Sequence, residues 1–230
     1  MLTAAPETPR TARTLRGKIL IGGGAVFLAL SLTALSACWY MGVFGENFRA
    51  IVPNQAYRSG QVTPETIRKH AKEDNIKTIV NLRGQSKSAW YSKELQACQE
   101  NGIAHYDVKF DPGYLPSPER LKQLIDVFEK APTPMLLHCR AGSDRSGLGS
   151  ALYDLIVMHK TLDEAIAAQM TWRVGHVKKD SGDQFLELYR INGNGQSIKD
   201  WIGSGYPEIY KRIERNAGSE QTPGDDAGER

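Results

Sequence analysis

A cysteine and an arginine lie six residues apart in the segment between residues 138 and 147. The segment is His138-Cys139-Arg140-Ala141-Gly142-Ser143-Asp144-Arg145-Ser146-Gly147. A cysteine thiolate is a strong nucleophile, and a guanidinium binds two oxygens of a phosphate in one plane, which an ammonium does not. The residue types and their spacing therefore predict a nucleophile, Cys139, that faces a tetrahedral oxyanion held by Arg145.

The pattern around these residues predicts how they are positioned. The apolar run from Met135 predicts a buried strand, and a helical pattern resumes after the loop. A tight loop between a strand and a helix turns several backbone N–H groups into one concavity, which binds anions at the helix N-terminus. We expect Ser146 to donate its hydroxyl to the cysteine sulfur and improve it as a leaving group. The predicted substrate-binding residues are His138, Arg140, Ala141, Gly142, Ser143 and Asp144.

The segment resembles the signature loop of cysteine-based protein tyrosine phosphatases, and the compact chain is similar to bacterial members of their dual-specificity branch. Two upstream stretches, Tyr57-Arg58-Ser59-Gly60-Gln61 and Ile79-Val80-Asn81-Leu82-Arg83, resemble the strands that open such domains. The resemblance covers about residues 48–175. It implies hydrolysis of phosphomonoesters through a phosphocysteine on Cys139, with no cofactor and no metal.

The same resemblance implies a general acid about 30 residues before the cysteine, on a loop that overhangs the phosphate. Asp111 is the favoured candidate because it lies in a loop ahead of a predicted helix. Asp107 lies within a predicted strand and is a weaker candidate. Asp144 precedes the arginine, as in the loops of some phosphoinositide phosphatases, but we favour a simple interaction with the helix dipole.

The elements around these residues alternate between strands and amphipathic helices, which predicts an α/β fold with a central, mostly parallel sheet flanked by helices. The predicted strands are Thr78–Leu82, Ala104–Phe110 and Met135–His138. The predicted helices follow the capping residues Thr63 and Ser117 and also cover Gln85–Asn101, 146–159, 162–172, Asp183–Ile191 and Tyr206–Arg215. We expect a phosphatase domain over residues 46–215 and a disordered acidic tail over residues 216–230.

The N-terminal region has the pattern of a membrane segment. Residues 1–18 are basic, and residues 19–45 contain no charged side chain, which predicts one transmembrane helix. By the positive-inside rule, the N-terminus stays cytoplasmic and the catalytic domain is exported. The alternative is a bacterial lipoprotein acylated at Cys38, since Leu35-Ser36-Ala37-Cys38 resembles a lipobox.

Composition limits the possible partners. The net charge is +3, and no block of lysine and arginine marks a nucleic-acid face. The expected substrate is a phosphorylated protein, a phospholipid or a phosphosugar, and the oligomeric state is open. A catalytically silent, membrane-tethered phosphate-binding adaptor is the alternative function, and sulfur transfer is a third. The sequence also leaves open whether Cys98 pairs with Cys139.

Overall fold

The computed structural model describes residues 27–36, 45–177 and 180–220. The chain divides into two compact units, Met1–Gly42 and Val43–Arg230. In the first unit, residues 27–36 form a helix, α1. Within the described ranges, no helix is both long and apolar enough to cross a membrane. Most of the predicted anchor over residues 19–45 lies outside the described residues, as do Cys38 and the basic segment 1–18.

A five-stranded sheet forms the centre of the second unit, with strand order β1-β2-β5-β3-β4. Strand β1 is antiparallel to β2, and every other neighbouring pair is parallel. The predicted mostly parallel sheet is therefore confirmed. Because β5 lies in the middle, the loop that follows it emerges at the centre of the sheet's carboxyl edge, where open α/β sheets bind ligands. The strands are β1 (Arg49–Val52), β2 (Ala56–Ser59), β3 (Thr78–Asn81), β4 (Ala104–Asp107) and β5 (Met135–His138).

Helices cover both faces of this sheet. They are α2 (Pro64–Glu73), α3 (Ala89–Glu100), α4 (Pro118–Lys130), α5 (Asp144–Ile156), α6 (Leu162–Gln169), α7 (Ser181–Asn192), α8 (Ile198–Gly203) and α9 (Tyr206–Glu220), with a 3-10 turn at Trp172–Val174. Thr63 and Ser117 cap α2 and α4 as predicted, since each side chain accepts a hydrogen bond from a backbone N–H of the first turn.

Several predicted boundaries were wrong. The helices predicted over 146–159 and 162–172 end earlier, at Ile156 and Gln169. Helix α3 begins at Ala89 and not at Gln85, because residues 85–88 form a polar loop that ends at Ser88. Strand β4 ends at Asp107 and not at Phe110. Helix α9 continues to Glu220, beyond its predicted end at Arg215, and residues 221–230 of the expected tail lie outside the described residues. An established helix extends readily over polar residues, and no proline interrupts this one before Pro223.

The sheet separates two apolar clusters, as expected when both faces of a parallel sheet are covered. Met135 and Leu137 of β5 point into the larger cluster, with Phe185, Trp201 and other residues of the helices. Leu136 points into the smaller cluster on the opposite face, where Cys98 is also buried. Because its side chains pack alternately into the two clusters, β5 is held in place on both faces, and so is the start of the loop that follows it.

Candidate active site

The signature loop, residues 139–145, connects β5 to α5 and encloses the cysteine. Cys139 is 3 % exposed. The backbone N–H of Gly142 donates to its Sγ at 3.2 Å. Gly142 has a φ of +74°, and a Cβ at this position would lie 2.6 Å from the backbone nitrogen of Gly60. Only glycine fits this turn, because the loop passes so close to the end of β2.

A buried arginine supports the loop from below. Arg58, on β2, is 1 % exposed. Its Nη2 donates to the carbonyls of Gly142 and Ser143, both at 2.8 Å, and its Nη1 donates to the carbonyl of Gln169 at 2.5 Å. Burial lowers the pKa of Arg58 to about 10, which leaves it protonated at neutral pH. Because its donors bind loop carbonyls from below, they favour a loop whose amide groups face the cavity.

A buried carboxylate positions the histidine that precedes the cysteine. Glu94, on α3, is fully buried and contacts His138 Nε2 at 3.0 Å and His105 Nε2 at 2.8 Å. It also accepts a hydrogen bond from Gln61 Nε2 at 2.6 Å. Burial by itself raises the pKa of Glu94, but the contacts with the two histidines outweigh it and lower the pKa to about 2. The other ring nitrogen of His138 lies 3.3 Å from the carbonyl of Cys139, so the network reaches the loop backbone.

An open cavity of about 300 Å³ lies above the loop. Cys139, Arg140, Ala141, Asp144, Arg145 and Asp111 line it. Arg145 Nη1 donates to the carbonyl of Phe110 at 3.5 Å, which connects the arginine to the loop that contains Asp111. The Asp111 carboxylate is half exposed and lies 2.8 Å from Lys109 Nζ. The structure thus brings together the predicted nucleophile, the predicted phosphate-binding arginine and the favoured acid.

The other two aspartates are bound elsewhere. Asp107 accepts hydrogen bonds from Asn81 Nδ2 at 2.8 Å and from the Tyr91 hydroxyl at 2.5 Å, and it does not line the cavity. Asp144 lines the cavity, but its Oδ1 lies 3.0 Å from His176 Nδ1. Burial by itself raises the pKa of Asp144, and the bond to His176 reverses this and leaves the pKa below its ordinary value. Asp144 is paired with a buried histidine, whereas Asp111 is half exposed and lines the cavity, so the structure favours Asp111.

The hydroxyl of Ser146 does not have the partner that we expected. It donates to the carbonyl of Ser59 at 3.1 Å, rather than to the sulfur of Cys139. The same carbonyl accepts from the backbone N–H of Cys139 at 3.4 Å. Ser146 therefore ties the first turn of α5 to the end of β2, and the amide of Gly142 is the donor that reaches the sulfur.

Cys98 belongs to a different part of the domain from Cys139. Both thiols are free and buried, but Cys98 lies in the smaller apolar cluster and Cys139 in the larger one. Burial, together with the charge of Glu94, raises the pKa of Cys98 to about 12. A protective disulfide between the two cysteines does not form in this structure.

One group of side chains near the cavity has the composition of a metal site. Potential ligand atoms of Asp144, His176 and Asp180 lie within 4.8 Å of one another. Both ring nitrogens of His176 already contact carboxylates, Asp144 at 3.0 Å and Asp183 at 3.2 Å. Burial by itself lowers the pKa of His176, but the two carboxylates raise it above its ordinary value. The geometry is that of an imidazolium between two carboxylates, which positions Asp144.

Comparison with known proteins agrees with this geometry. A family profile described as "DSP-PTPase phosphatase fused to NAD+ Kinase" matches residues 46–182. The chain belongs to this phosphatase family. The predicted resemblance to the dual-specificity branch is therefore confirmed, and the matched residues include the signature loop, Arg58, Glu94 and Asp111.

The matches to individual relatives cover only part of each relative's length. The chain is 31 % identical over 150 residues to the dual specificity protein phosphatase CDC14C of Homo sapiens, a match that includes 59 % of this chain and 32 % of the relative. The mouse CDC14B protein is 28 % identical over 149 residues, with 59 % and 30 % covered. The chain thus spans about a third of the length of these curated relatives.

Solved structures show the same fold. The core catalytic domain of the PP-IP phosphatase SIW14 from S. cerevisiae has a TM-score of 0.53 and 22 % identity, covering 66 % of this chain and 94 % of that one. PTPMT1 has a TM-score of 0.51 and 16 % identity, covering 75 % and 99 %. At these identities the likeness shows the fold alone.

Sequence reasoning missed Arg58 and Glu94 as residues of the site. Arg58 was noted only as part of a motif, although an arginine inside a short strand is itself a signal, because a buried guanidinium needs several acceptors. Glu94 has no such local signal. Its helix is only weakly amphipathic, and its partner His138 lies 44 residues away in the sequence.

Proposed function

We propose that this chain is a phosphatase that hydrolyses phosphomonoesters through a covalent phosphocysteine on Cys139. The observation that supports this most directly is one cavity that holds Cys139, Arg145 and Asp111, with the Gly142 amide donating to the sulfur. Asp111 forms an ion pair with Lys109, but this pair is on the surface and weak. It therefore leaves Asp111 able to contact a bound phosphate.

In the first step, the thiolate of Cys139 attacks phosphorus, and the bond from phosphorus to the leaving oxygen breaks. Arg145 binds two of the phosphoryl oxygens through its guanidinium, and the loop amides bind the developing charge. Asp111 gives its proton to the leaving oxygen, so that an alcohol or phenol departs. The buried support from Arg58 keeps the loop in this conformation without reorganisation during the reaction.

In the second step, water attacks the phosphorus of the phosphocysteine, and the phosphorus–sulfur bond breaks. The Asp111 carboxylate accepts the proton from water. The electron pair returns to the Cys139 sulfur, which the Gly142 amide stabilises from 3.2 Å. Phosphate leaves, and the thiolate is restored.

Separate observations support the proposed substrate and the proposed location. Relatives named as dual specificity protein phosphatases support a phosphoprotein substrate. An uncharged stretch at residues 19–45 supports a membrane anchor with an exported catalytic domain, and an anchored enzyme would meet phospholipids or phosphosugars. A lipoprotein acylated at Cys38 stays the alternative form of attachment. Mass spectrometry of the chain isolated from membranes would detect that acyl group.

Turnover of p-nitrophenyl phosphate tests the function. We would compare the full chain with Cys139→Ser, with reductant present and no metal added. We expect activity that orthovanadate inhibits and that the serine variant lacks. A folded wild type without activity would contradict hydrolysis and favour a phosphate-binding adaptor, while activity that survives Cys139→Ser would contradict the nucleophile.

A further inference from the structure

Three guanidinium groups cluster at the mouth of the cavity. Arg140 and Arg145 line the cavity itself. Arg83 is placed beside them by Gln61, whose backbone N–H donates to the carbonyl of Arg140 at 3.1 Å and whose side-chain oxygen accepts from Arg83 Nη1. The guanidinium of Arg83 lies over the ring of Trp90, 3.9 Å from its centroid. Burial lowers the pKa of Arg83, and the charges of Arg145 and Arg140 lower it further.

Among the described residues, no carboxylate lies within salt-bridge distance of these three groups, although the charge of Glu94 raises the pKa of Arg83 and the charge of Arg145 lowers the pKa of Asp144. Of the nearby acids, Glu94 contacts two histidines, Asp144 contacts His176, and Asp111 forms a surface ion pair with Lys109. Like charges held together without ion-pair partners repel one another, which favours an anionic ligand.

The scissile phosphate accounts for only one of the three guanidiniums. Arg145 follows the loop and faces the phosphate that Cys139 attacks, as the family membership implies. Arg83 and Arg140 remain; Gln61 contacts the guanidinium of the first and the backbone carbonyl of the second, and the fork-shaped donor set of each matches phosphate oxygens. A phosphoryl group with two negative charges would neutralise both.

We propose that Arg83 and Arg140 form a second anion subsite, so that the preferred substrates are phosphomonoesters with a second phosphoryl group near the first. The second group would lie between the cavity mouth and Trp90. This inference rests on the proposed function for the first phosphate. The chemistry is shared by soluble bisphosphates and by lipid headgroups with two phosphates, so both belong in the test.

Inhibitors with one or two phosphonate groups can test for the second subsite, even though the natural substrate is not known. We would measure inhibition of p-nitrophenyl phosphate turnover by methylphosphonate and by bisphosphonates with one-carbon and three-carbon spacers, at constant ionic strength. We expect at least one bisphosphonate to inhibit about tenfold more strongly than methylphosphonate, as expected for an added charged hydrogen bond. This ratio should fall several-fold in both Arg83→Gln and Arg140→Gln.

Lys87→Gln is the matched control, because it removes one positive charge from an exposed residue in the loop after Arg83. The ratio should not change in this variant. An unchanged ratio in both arginine variants, or an equal fall in Lys87→Gln, would overturn the subsite and leave only a general charge effect. Arg140 is exposed and none of the described contacts involves its side chain, so Arg140→Gln should fold even if Arg83→Gln disturbs Gln61.

Binding to the Cys139→Ser protein separates this inference from the proposed function. Calorimetry with the same phosphonates needs no turnover. Tight, Arg83-dependent binding would support the subsite even if the wild type proved inactive, a result that would contradict hydrolysis alone. An active wild type without preference for bisphosphonates would contradict the subsite alone. Vesicles with a lipid bisphosphate, compared with the soluble headgroup, then distinguish the two sources.

Discussion

The underside and the mouth of the signature loop contain similar charged residues in opposite situations. On the underside, Arg58 is buried, with Nη1 and Nη2 bound to carbonyls, and Glu94 is buried between two histidines. At the mouth, Arg140 is exposed and Arg145 partly exposed, and neither forms an ion pair within the described residues. An arginine therefore supports the loop at position 58 and faces the cavity at position 145.

The difference separates charged residues that stabilise the fold from charged residues that are available to bind a ligand. Charges compensated inside the protein contribute to the free energy of unfolding, since their loss leaves partners unsatisfied. Charges without protein partners are available to stabilise a bound phosphate and the charge that develops in the reaction. Underside variants should therefore change stability first, and mouth variants should change kinetics first.

The largest expected effect is on the underside, in Arg58→Met. The variant leaves three buried carbonyls without their donor, and each unsatisfied group costs about 1–3 kcal/mol. We expect the free energy of unfolding, measured in urea, to fall by several kcal/mol. Arg145→Met serves as the matched comparison and should lose activity with little change in unfolding. Equal stability of the two variants would contradict the distinction between underside and mouth.

Glu94→Gln tests the other buried charge through pH. The pKa of Glu94 falls from 4.5 to about 2 in the folded protein, which corresponds to about 3 kcal/mol of stability. Because the folded pKa is depressed, this stability is present above about pH 4.5 and is lost as the pH falls through 2. We expect wild type to exceed the variant in stability at pH 7, with the gap closing below pH 4.5 in thermal melts. A gap that does not depend on pH would mean that Glu94 gains nothing from its charge.

Asp111→Asn, at the mouth, should change the rate of the reaction rather than the stability of the fold. General acid catalysis contributes about 10²–10⁴-fold, and this contribution grows as the leaving group becomes poorer. We expect a loss of about a hundredfold or more for phenyl phosphate and a much smaller loss for p-nitrophenyl phosphate. The melting temperature should change little, because the Asp111 side chain is half exposed. Equal losses for both substrates would remove Asp111 as the acid.

The smallest expected effect is that of Asp144→Asn, which sharpens the comparison because Asp144 lines the cavity but has its partner within the protein. We expect kcat to change by less than about threefold and unfolding to change by about 1 kcal/mol, as for a partly exposed ion pair. Kinetics with phenyl phosphate would measure this. A loss as large as that of Asp111→Asn would transfer the role of acid to Asp144.

Local signals explain what the sequence allowed us to predict. The capping threonine and serine before α2 and α4 and the apolar run of β5 depend on neighbours in the chain, and the structure places them as expected. The strand, the loop and α5 are contiguous, so the residue types, their spacing and the apolar strand in front predicted that Cys139 and Arg145 share one loop. The family resemblance implied an acid upstream of the cysteine, and the position of Asp111 in the loop before α4 favoured it over Asp107.

The missed features depend on contacts between distant parts of the chain. Arg58 binds the loop across 84 residues, and Glu94 meets His138 across 44. An isolated glutamate in a helix is expected to face solvent, and only the packing of α3 against the sheet shows that it does not. The partner of Ser146 was mistaken for the same reason, because the carbonyl of Ser59 is 87 residues away and competes with the sulfur for the hydroxyl.

Detection of the phosphoenzyme tests the central claim most directly. We would mix the full-length Asp111→Asn chain with phosphorus-32-labelled phosphopeptide or bisphosphate, quench with acid within seconds and map the label by mass spectrometry. The account predicts label on Cys139, stable to acid and absent in the Cys139→Ser variant. Label on another residue, or turnover of the same substrate by wild type without any labelled cysteine, would contradict it.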